Sequence, residues 1–242
     1  MLVFGSGNLY GISTAANSTP RKLGNLQDVA FDFSFTIKEL RGAGQFAVDL
    51  RRGSGKITGK AKLATLNGAL INDLFFAQTA STGLLQSAVS EAASIPASTP
   101  WTVTVANSAT FDTDLGVVYA ATGLPFTRVA SGPVAGQYSV ASGVYTFSTG
   151  DASAAVLIDY LYTSATGGTR LALSNQTMGV TPTFMGVFSA NVGGKIATLK
   201  LNACTSNKLS VATKLEDYAI PEFDFDAMCD ASNNLGVFSV AN

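Results

Sequence analysis

From Val29 to Ile37 the chain alternates without a slip. Val29, Phe31, Phe33, Phe35 and Ile37 are apolar, while Ala30, Asp32, Ser34, Thr36 and Lys38 are small or polar. A period of two predicts a β-strand with one apolar face and one wet face. A turn-rich segment follows, Arg41-Gly42-Ala43-Gly44-Gln45, and then the basic, glycine-rich stretch Arg51-Arg52-Gly53-Ser54-Gly55. A second alternating strand is predicted over 56–66, with Ile57, Ala61 and Leu63 on one side and Lys56, Thr58, Lys60 and Lys62 on the other. Two half-buried strands therefore flank a long basic arm that has little to bury against its own domain. Such an arm points to contact between copies of the chain.

The same design recurs over 196–202, where Ala197, Leu199 and Leu201 alternate with Thr198, Lys200 and Asn202. It recurs again over 222–228, where Phe223, Phe225 and Ala227 alternate with Glu222, Asp224 and Asp226. Leu70, Ile71, Leu74 and Phe75 fall at helical spacing and predict a short amphipathic helix over 68–77, placed to cover a sheet edge. A weaker helical pattern, Leu84, Leu85, Ala88, Val89 and Ala92, stops before Pro96, and Pro96 and Pro100 bracket a linker. Between Trp101 and Thr163 five short strand signals, at Thr102–Val105, Gly116–Tyr119, Gln137–Val140, Val144–Phe147 and Val156–Tyr160, alternate with turn clusters. They read as a small inserted β subdomain with Ser164–Gly168 as the return linker. Leu171–Ser174, Thr183–Ala190 and Val237–Val240 are further strand candidates. The expectation is an all-β chain with one short flanking helix, a sandwich or barrel built as an extended arm (1–27), a discontinuous core (28–96 and 164–242) and an inserted outer subdomain (101–163).

Composition sharpens the assembly reading. Only 13% of the 242 residues are charged, about half the usual ~25%, as expected of a protein that hides surface in an assembly. The net charge of −1 argues against general nucleic-acid binding, but its distribution is uneven. Arg21–Lys62 holds nine basic and four acidic residues, whereas Glu216–Asp230 holds six acidic and no basic ones. Opposite charge toward the two ends of one chain favours head-to-tail contact between copies. Cys204 and Cys229 have no metal-like spacing and read as free buried thiols, which suits a reducing compartment. The N-terminal apolar run is too short for a signal peptide and no stretch is long enough for a membrane helix, so assembly in a cytoplasm, with no membrane partner, is expected.

Chemistry is sparse. The chain has no histidine, which removes Ser-His-Asp and Cys-His constellations and most zinc sites. The acid pairs Asp224/Asp226 and Asp112/Asp114 have the spacing of solvated strand-face residues. Gly42-Ala43-Gly44-Gln45-Phe46-Ala47 matches a dinucleotide-binding fingerprint in letters, but more β sequence follows it where a helix is required. Gly55-Lys56 lacks the remainder of a P-loop. The Lys56, Lys60 and Lys62 stripe has no interleaved aromatic for base stacking and is placed to pair with Asp32 across strands or with the acidic segment of another copy. No enzymatic activity, cofactor or metal is expected.

Several segments, in order, resemble the tail tube proteins of tailed bacteriophages: Phe4-Gly5-Ser6-Gly7-Asn8-Leu9-Tyr10-Gly11, Gly24-Asn25-Leu26-Gln27-Asp28, Gly55–Lys62, Asn67–Phe76, Asp114–Tyr119, Gly136–Tyr138, Val144–Phe147 and Glu216–Phe225. The resemblance implies hexameric rings that stack head-to-tail into a tube, an inner β-barrel shared by six copies, and a long hairpin reaching the adjacent ring. It implies DNA and a tape-measure protein in the lumen, with sheath, baseplate and tail terminator proteins as further partners in the virion tail. On that frame Arg41, Gln45, Arg51, Arg52, Glu216 and Asp217 are candidate inter-ring contacts. Asp32, Ser34, Thr36, Lys38, Thr58, Lys60, Lys200, Asp224 and Asp226 are candidate lumen-facing residues. A segment such as Leu40–Gly55 would project about 25 Å as a hairpin at ~3.3 Å per residue. Such lumens tend to be acidic, whereas the polar-face charges counted here sum to zero. A carbohydrate- or receptor-binding β module and a capsid decoration protein are the alternative readings.

Overall fold

The computed structural model describes residues 7–15, 18–65, 67–213 and 215–241. In chain order the elements are β1 (Asn8–Ser13), β2 (Arg21–Leu23), β3 (Leu26–Arg41), β4 (Ala47–Leu63), the helix α1 (Gly68–Ile71) running into a π turn (Asn72–Phe76), and β5 (Ala80–Ser94). Then come β6 (Thr102–Thr104), β7 (Phe111–Tyr119), β8 (Thr127–Arg128), β9 (Gln137–Ala141), β10 (Val144–Thr146) and β11 (Ala155–Leu171). The chain closes with β12 (Thr183–Val192), β13 (Lys195–Ser210), β14 (Glu222–Met228) and β15 (Gly236–Val240). The protein is all-β, with several antiparallel sheets and one short helix. It divides into two compact units, Met1–Ala80 with Leu171–Asn242, and Ser81–Arg170. Residues 81–96 and 164–170, placed in the core from sequence, thus belong to the second unit instead.

The first unit is one eight-stranded sheet in the order β2-β1-β12-β13-β14-β4-β3, with β15 also paired to β13. The sheet coils strongly: Phe31 on β3 and Phe188 on β12, with three strands between them, bring their ring centroids to 5.3 Å. Its inner face holds Leu9, Leu23, Ile57, Leu63, Phe184, Leu199, Leu201, Phe223 and Phe225, all buried. Full burial of each such side chain stabilises by about 1.5–3 kcal/mol. Gly59 lets this face close. It lies between Phe31 and Phe225 in register, and a Cβ there would sit 2.1 Å from the Phe225 ring.

Asn67 caps the helix, its side-chain oxygen accepting from the Ala69 and Leu70 N–H groups at 3.0 and 3.2 Å. Buried Asn72 ends the turn by binding both backbone groups of Gln78, and Ala77 turns left-handed at φ 47°. The element lies on the core face rather than along an edge: Leu74 is buried, and a Cβ on Gly11 of β1 would meet it at 2.5 Å.

Several sequence expectations need correction here. Residues 8–13 and 21–23 are not an arm but strands of the main sheet, because Leu9 and Leu23 are core residues. Residues 1–6, 16–17 and 66 lie outside the described residues. The basic arm is β-structure: only 42–46 turn, and Arg51–Gly55 continue β4. Ser164–Gly168 is part of β11 rather than a linker, and 172–182 carries no strand beyond Leu171.

The second unit consists of a four-stranded sheet, β6-β10-β9-β8, and a three-stranded sheet, β5-β11-β7. Ile95, Val105, Val117, Phe126, Tyr138, Tyr145, Phe147, Val156, Ile158 and Tyr160 form its core. The helix expected around Leu84–Ala92 is strand β5. The apolar residues that a helix would bury, Leu85 and Val89, are exposed, while the Glu91, Ala93 and Ile95 side chains turn inward with period two. At Ser90 (φ 55°) the inward alternation shifts by one residue, which blurs it in sequence.

Candidate assembly surface

β3 and β4 pair from Leu26↔Leu63 to Arg41↔Ala47, but β14 pairs with β4 only between Ile57 and Lys62. From Lys56 to Ala47, β4 therefore has β3 as its one strand neighbour among the described residues. This two-stranded ribbon is roughly 30 Å long at ~3.3 Å per residue, and an isolated ribbon is marginal in water. The alternation of β3 continues along it. Phe33, Phe35 and Ile37 share a face with Leu50 and are 53%, 50%, 55% and 59% exposed. The Arg52 guanidinium covers part of that face, 4.6 Å from the Phe35 centroid. A bulge at Gly53–Ser54 keeps the strands paired past Thr36, where a Cβ on Gly53 would crowd the Thr36 hydroxyl at 2.5 Å. Arg41 pairs with Glu39 at 2.6 Å and Arg51 with Asp49 at 2.8 Å, each within its own strand. Gln45 is exposed in the turn.

The opposite face of the same strands is a charge ladder. Across β3, β4, β14 and β13 one rung reads Asp28, Lys62, Glu222, Ser210; the next Ala30, Lys60, Asp224, Lys208; the next Asp32, Thr58, Asp226, Thr205. Basic and acidic residues alternate across the strands. Lys56 Nζ lies 3.2 Å from Asp226, Lys62 Nζ 4.0 Å and Lys208 Nζ 3.6 Å from Glu222. The Asn207 amide donates to Asp226 at 2.9 Å. Lys56, Lys62 and Lys208 thus pair within the chain with Asp226 and Glu222, Lys60 lies opposite Asp224 in register, and Asp32 faces Thr58. An extra residue in β13 between the partners of Phe184 and Gly186 carries Lys200 onto this non-core face too. Asp32, Ser34, Thr36, Lys38, Thr58, Lys60, Lys200, Asp224 and Asp226 therefore share one side of the sheet. Each pair contributes little stability in water, about 0–1 kcal/mol; its effect is to neutralise a lysine stripe.

The two groups of candidate contact residues lie far apart. Arg41, Gln45, Arg51 and Arg52 belong to the distal ribbon. Glu216 and Asp217 sit in 215–220, the exposed segment leading toward β14, whose first residue Glu222 is opposite Lys62 at the other end of β4. Tyr218 beside them is 89% exposed.

The closing strand expected at Val237–Val240 is β15, but its exposed apolar surface was not read from the sequence. Val237, Phe238 and Val240 are 62%, 69% and 43% exposed, and β13 is the strand's one neighbour among the described residues. An open groove of about 270 Å³ lies nearby, lined by Phe33, Phe35, Ile57, Ala227 and Leu235. Exposed β15, the ribbon face and this groove form the apolar part of the surface. The signal was present in Leu235-Gly236-Val237-Phe238, read there simply as a closing strand.

No family model and no curated protein matches the chain. Among the described residues no helix is long and apolar enough to cross a membrane, and no three acidic, Cys or His side chains are grouped to hold a metal ion.

Proposed function

We propose that the chain is a structural virion protein, a subunit of hexameric rings that stack into the tail tube of a tailed bacteriophage and conduct DNA during ejection. The observation that carries this reading is the β3–β4 ribbon. Among the described residues its backbone edge has no third strand, and its Phe33, Phe35, Ile37 and Leu50 face is half-exposed over some 30 Å. A contiguous apolar patch of several hundred Å² marks an interaction site, and an open strand edge is a template for another chain's strand. Neighbouring subunits in a ring satisfy both demands at once and leave no free edge. The order of segments that resembles tail tube proteins supports the same conclusion.

On this reading the charge ladder faces the lumen. Lysines bind DNA by displacing counterions from phosphate, and lysines already matched with carboxylates have less to gain from it. A wall of alternating charge thus serves a conduit without being acidic throughout. The tape-measure protein and DNA occupy the bore; sheath, baseplate and tail terminator proteins are the expected neighbours in the virion, after assembly in the host cytoplasm.

Negative-stain microscopy of concentrated purified protein tests the proposal. Rings or tubes are expected, and the double substitution Phe33→Ser/Phe35→Ser should abolish them while Trp101 fluorescence, which reports the second unit, stays unchanged. Monomers at every concentration, with or without the substitutions, would overturn the reading in favour of a compact β binding module.

A further inference from the structure

Strand β4 is a ruler with a complementary feature at each end. It begins at Ala47, immediately after Phe46, and ends at Leu63, immediately before Ala64. Phe46 is 86% exposed at the tip of the ribbon, with Val48 behind it at 73%. At the other end, Asn25, Gln27, Ala64, Thr65, Tyr218, Ala219 and Ile220 line a cleft of about 360 Å³. The apolar part of that cleft, Tyr218, Ala219 and Ile220, matches a benzyl group. Asn25, Gln27 and Thr65 offer partners for the free backbone groups of the turn. Seventeen residues of strand separate the two features by roughly 55 Å at ~3.3 Å per residue, so a molecule cannot fill its own cleft.

We infer that Phe46 of one copy inserts into the Tyr218–Ile220 cleft of the next, a head-to-tail contact that rests on the stacked-ring reading and names its anchor. Charge is compatible but modest: Arg41 and Arg51 are matched by Glu39 and Asp49, which leaves Arg52 as the excess arginine charge of the ribbon, while Glu216 and Asp217 flank the receiving cleft. Complementary patches at opposite ends of a subunit make a heterologous interface, which propagates along an axis instead of closing as a dimer. An aromatic side chain in a fitted pocket is the usual energetic centre of such a contact.

Disulfide trapping tests the inference. Exposed Cys229 is first replaced by serine, leaving only buried Cys204, and Gln45→Cys is combined with Thr65→Cys. Mild oxidation should give a reducible ladder of multimers, and adding Phe46→Asp should reduce the ladder at least tenfold, while Phe46→Leu keeps it. Rings or tubes in the microscope without a ladder would sink this docking and leave the ring reading standing. A ladder without rings would keep the docking and sink the ring. A ladder unaffected by Phe46→Asp also overturns the inference, and absence of both ladder and assemblies overturns both readings.

Discussion

Asp114 holds the second unit together from inside, and removing it should be costly in a predictable way. A bulge at Leu115–Gly116 in β7, with Gly116 at φ 125°, turns the Asp114 side chain inward, where it is 3% exposed. Its carboxylate accepts from the Tyr138 hydroxyl at 2.6 Å, the Tyr145 hydroxyl at 2.9 Å and the Gly116 N–H at 3.1 Å, with the Arg128 guanidinium at 3.5 Å. Tyr138 and Tyr145 are buried, so Asp114→Ala strands two hydroxyls away from water. Each orphaned buried donor costs about 1–3 kcal/mol, giving a total of about 2–6 kcal/mol, a large share of the ~5–15 kcal/mol typical of a domain. Asp114→Asn keeps one acceptor and should cost less. Urea unfolding followed by fluorescence of Trp101, the chain's one tryptophan, which packs against this core, isolates the second unit. Adding Tyr138→Phe and Tyr145→Phe to Asp114→Ala removes the stranded hydroxyls and should recover more than half the loss. A cost below about 1 kcal/mol, or a triple variant no more stable than Asp114→Ala, would refute the reasoning.

Two further outcomes follow from the same physics. Gly59→Val should destabilise the first unit by at least the about 1–3 kcal/mol of an overpacked core, because its side chain meets the Phe225 ring; a melting temperature equal to wild type would contradict this. The Tyr119 hydroxyl, bound to Asp151 at 2.6 Å, is pushed up to about 12 by that hydrogen bond and by burial, and burial followed by the Asp114 bonds raises Tyr138 and Tyr145 as well. The folded state keeps these protons while the unfolded chain releases them near pH 10, so the second unit should hold its stability below pH 10 and lose it as pH rises further. Absorbance at 295 nm checks this, since these tyrosines should ionise only with unfolding.

The alternation in Val29–Ile37, Ile57–Leu63, Ala197–Leu201 and Phe223–Ala227 was readable because each strand has one buried and one wet face, and the period survives any partner choice. Leu70, Ile71, Leu74 and Phe75 were readable as an amphipathic helical element for similar reasons, though the Asn67 cap was not read. What sequence concealed depends on tertiary pairing. β5 mimics a helix because its alternation shifts at Ser90 and breaks the period of two. Asp114 looks like a solvated partner of Asp112 until the Leu115 bulge turns it inward, while Asp112 stays exposed beside Thr113. Leu9 and Leu23 sit among Gly, Ser and Asn and carry too little pattern to mark strands of the core. The surface residues on β3, β4 and β14 could be assigned to a face from alternation, but not to a rung, since register is set by the bulges at Gln27 and Gly53–Ser54.

β3 and β4 perform two tasks along their length, and the change between them falls where β14 stops. Between Leu26 and Phe31 the odd-numbered side and Leu63, Ala61 and Gly59 close on the core, and the charged side is matched across four strands. Beyond Ile57 the same alternation continues with no further strand paired to β4 other than β3 among the described residues. A sequence selected only for a folded monomer has no reason to keep Phe33, Phe35 and Ile37 in period once the core has ended, because each exposed aromatic there invites aggregation at an open edge. Persistence of the pattern past the last internal neighbour is itself a statement about a neighbour. The ribbon is apolar where a further strand or side chain would lie and charged where water would lie, so on the proposed reading the chain would specify the surface of an assembly with the same code it uses for its interior.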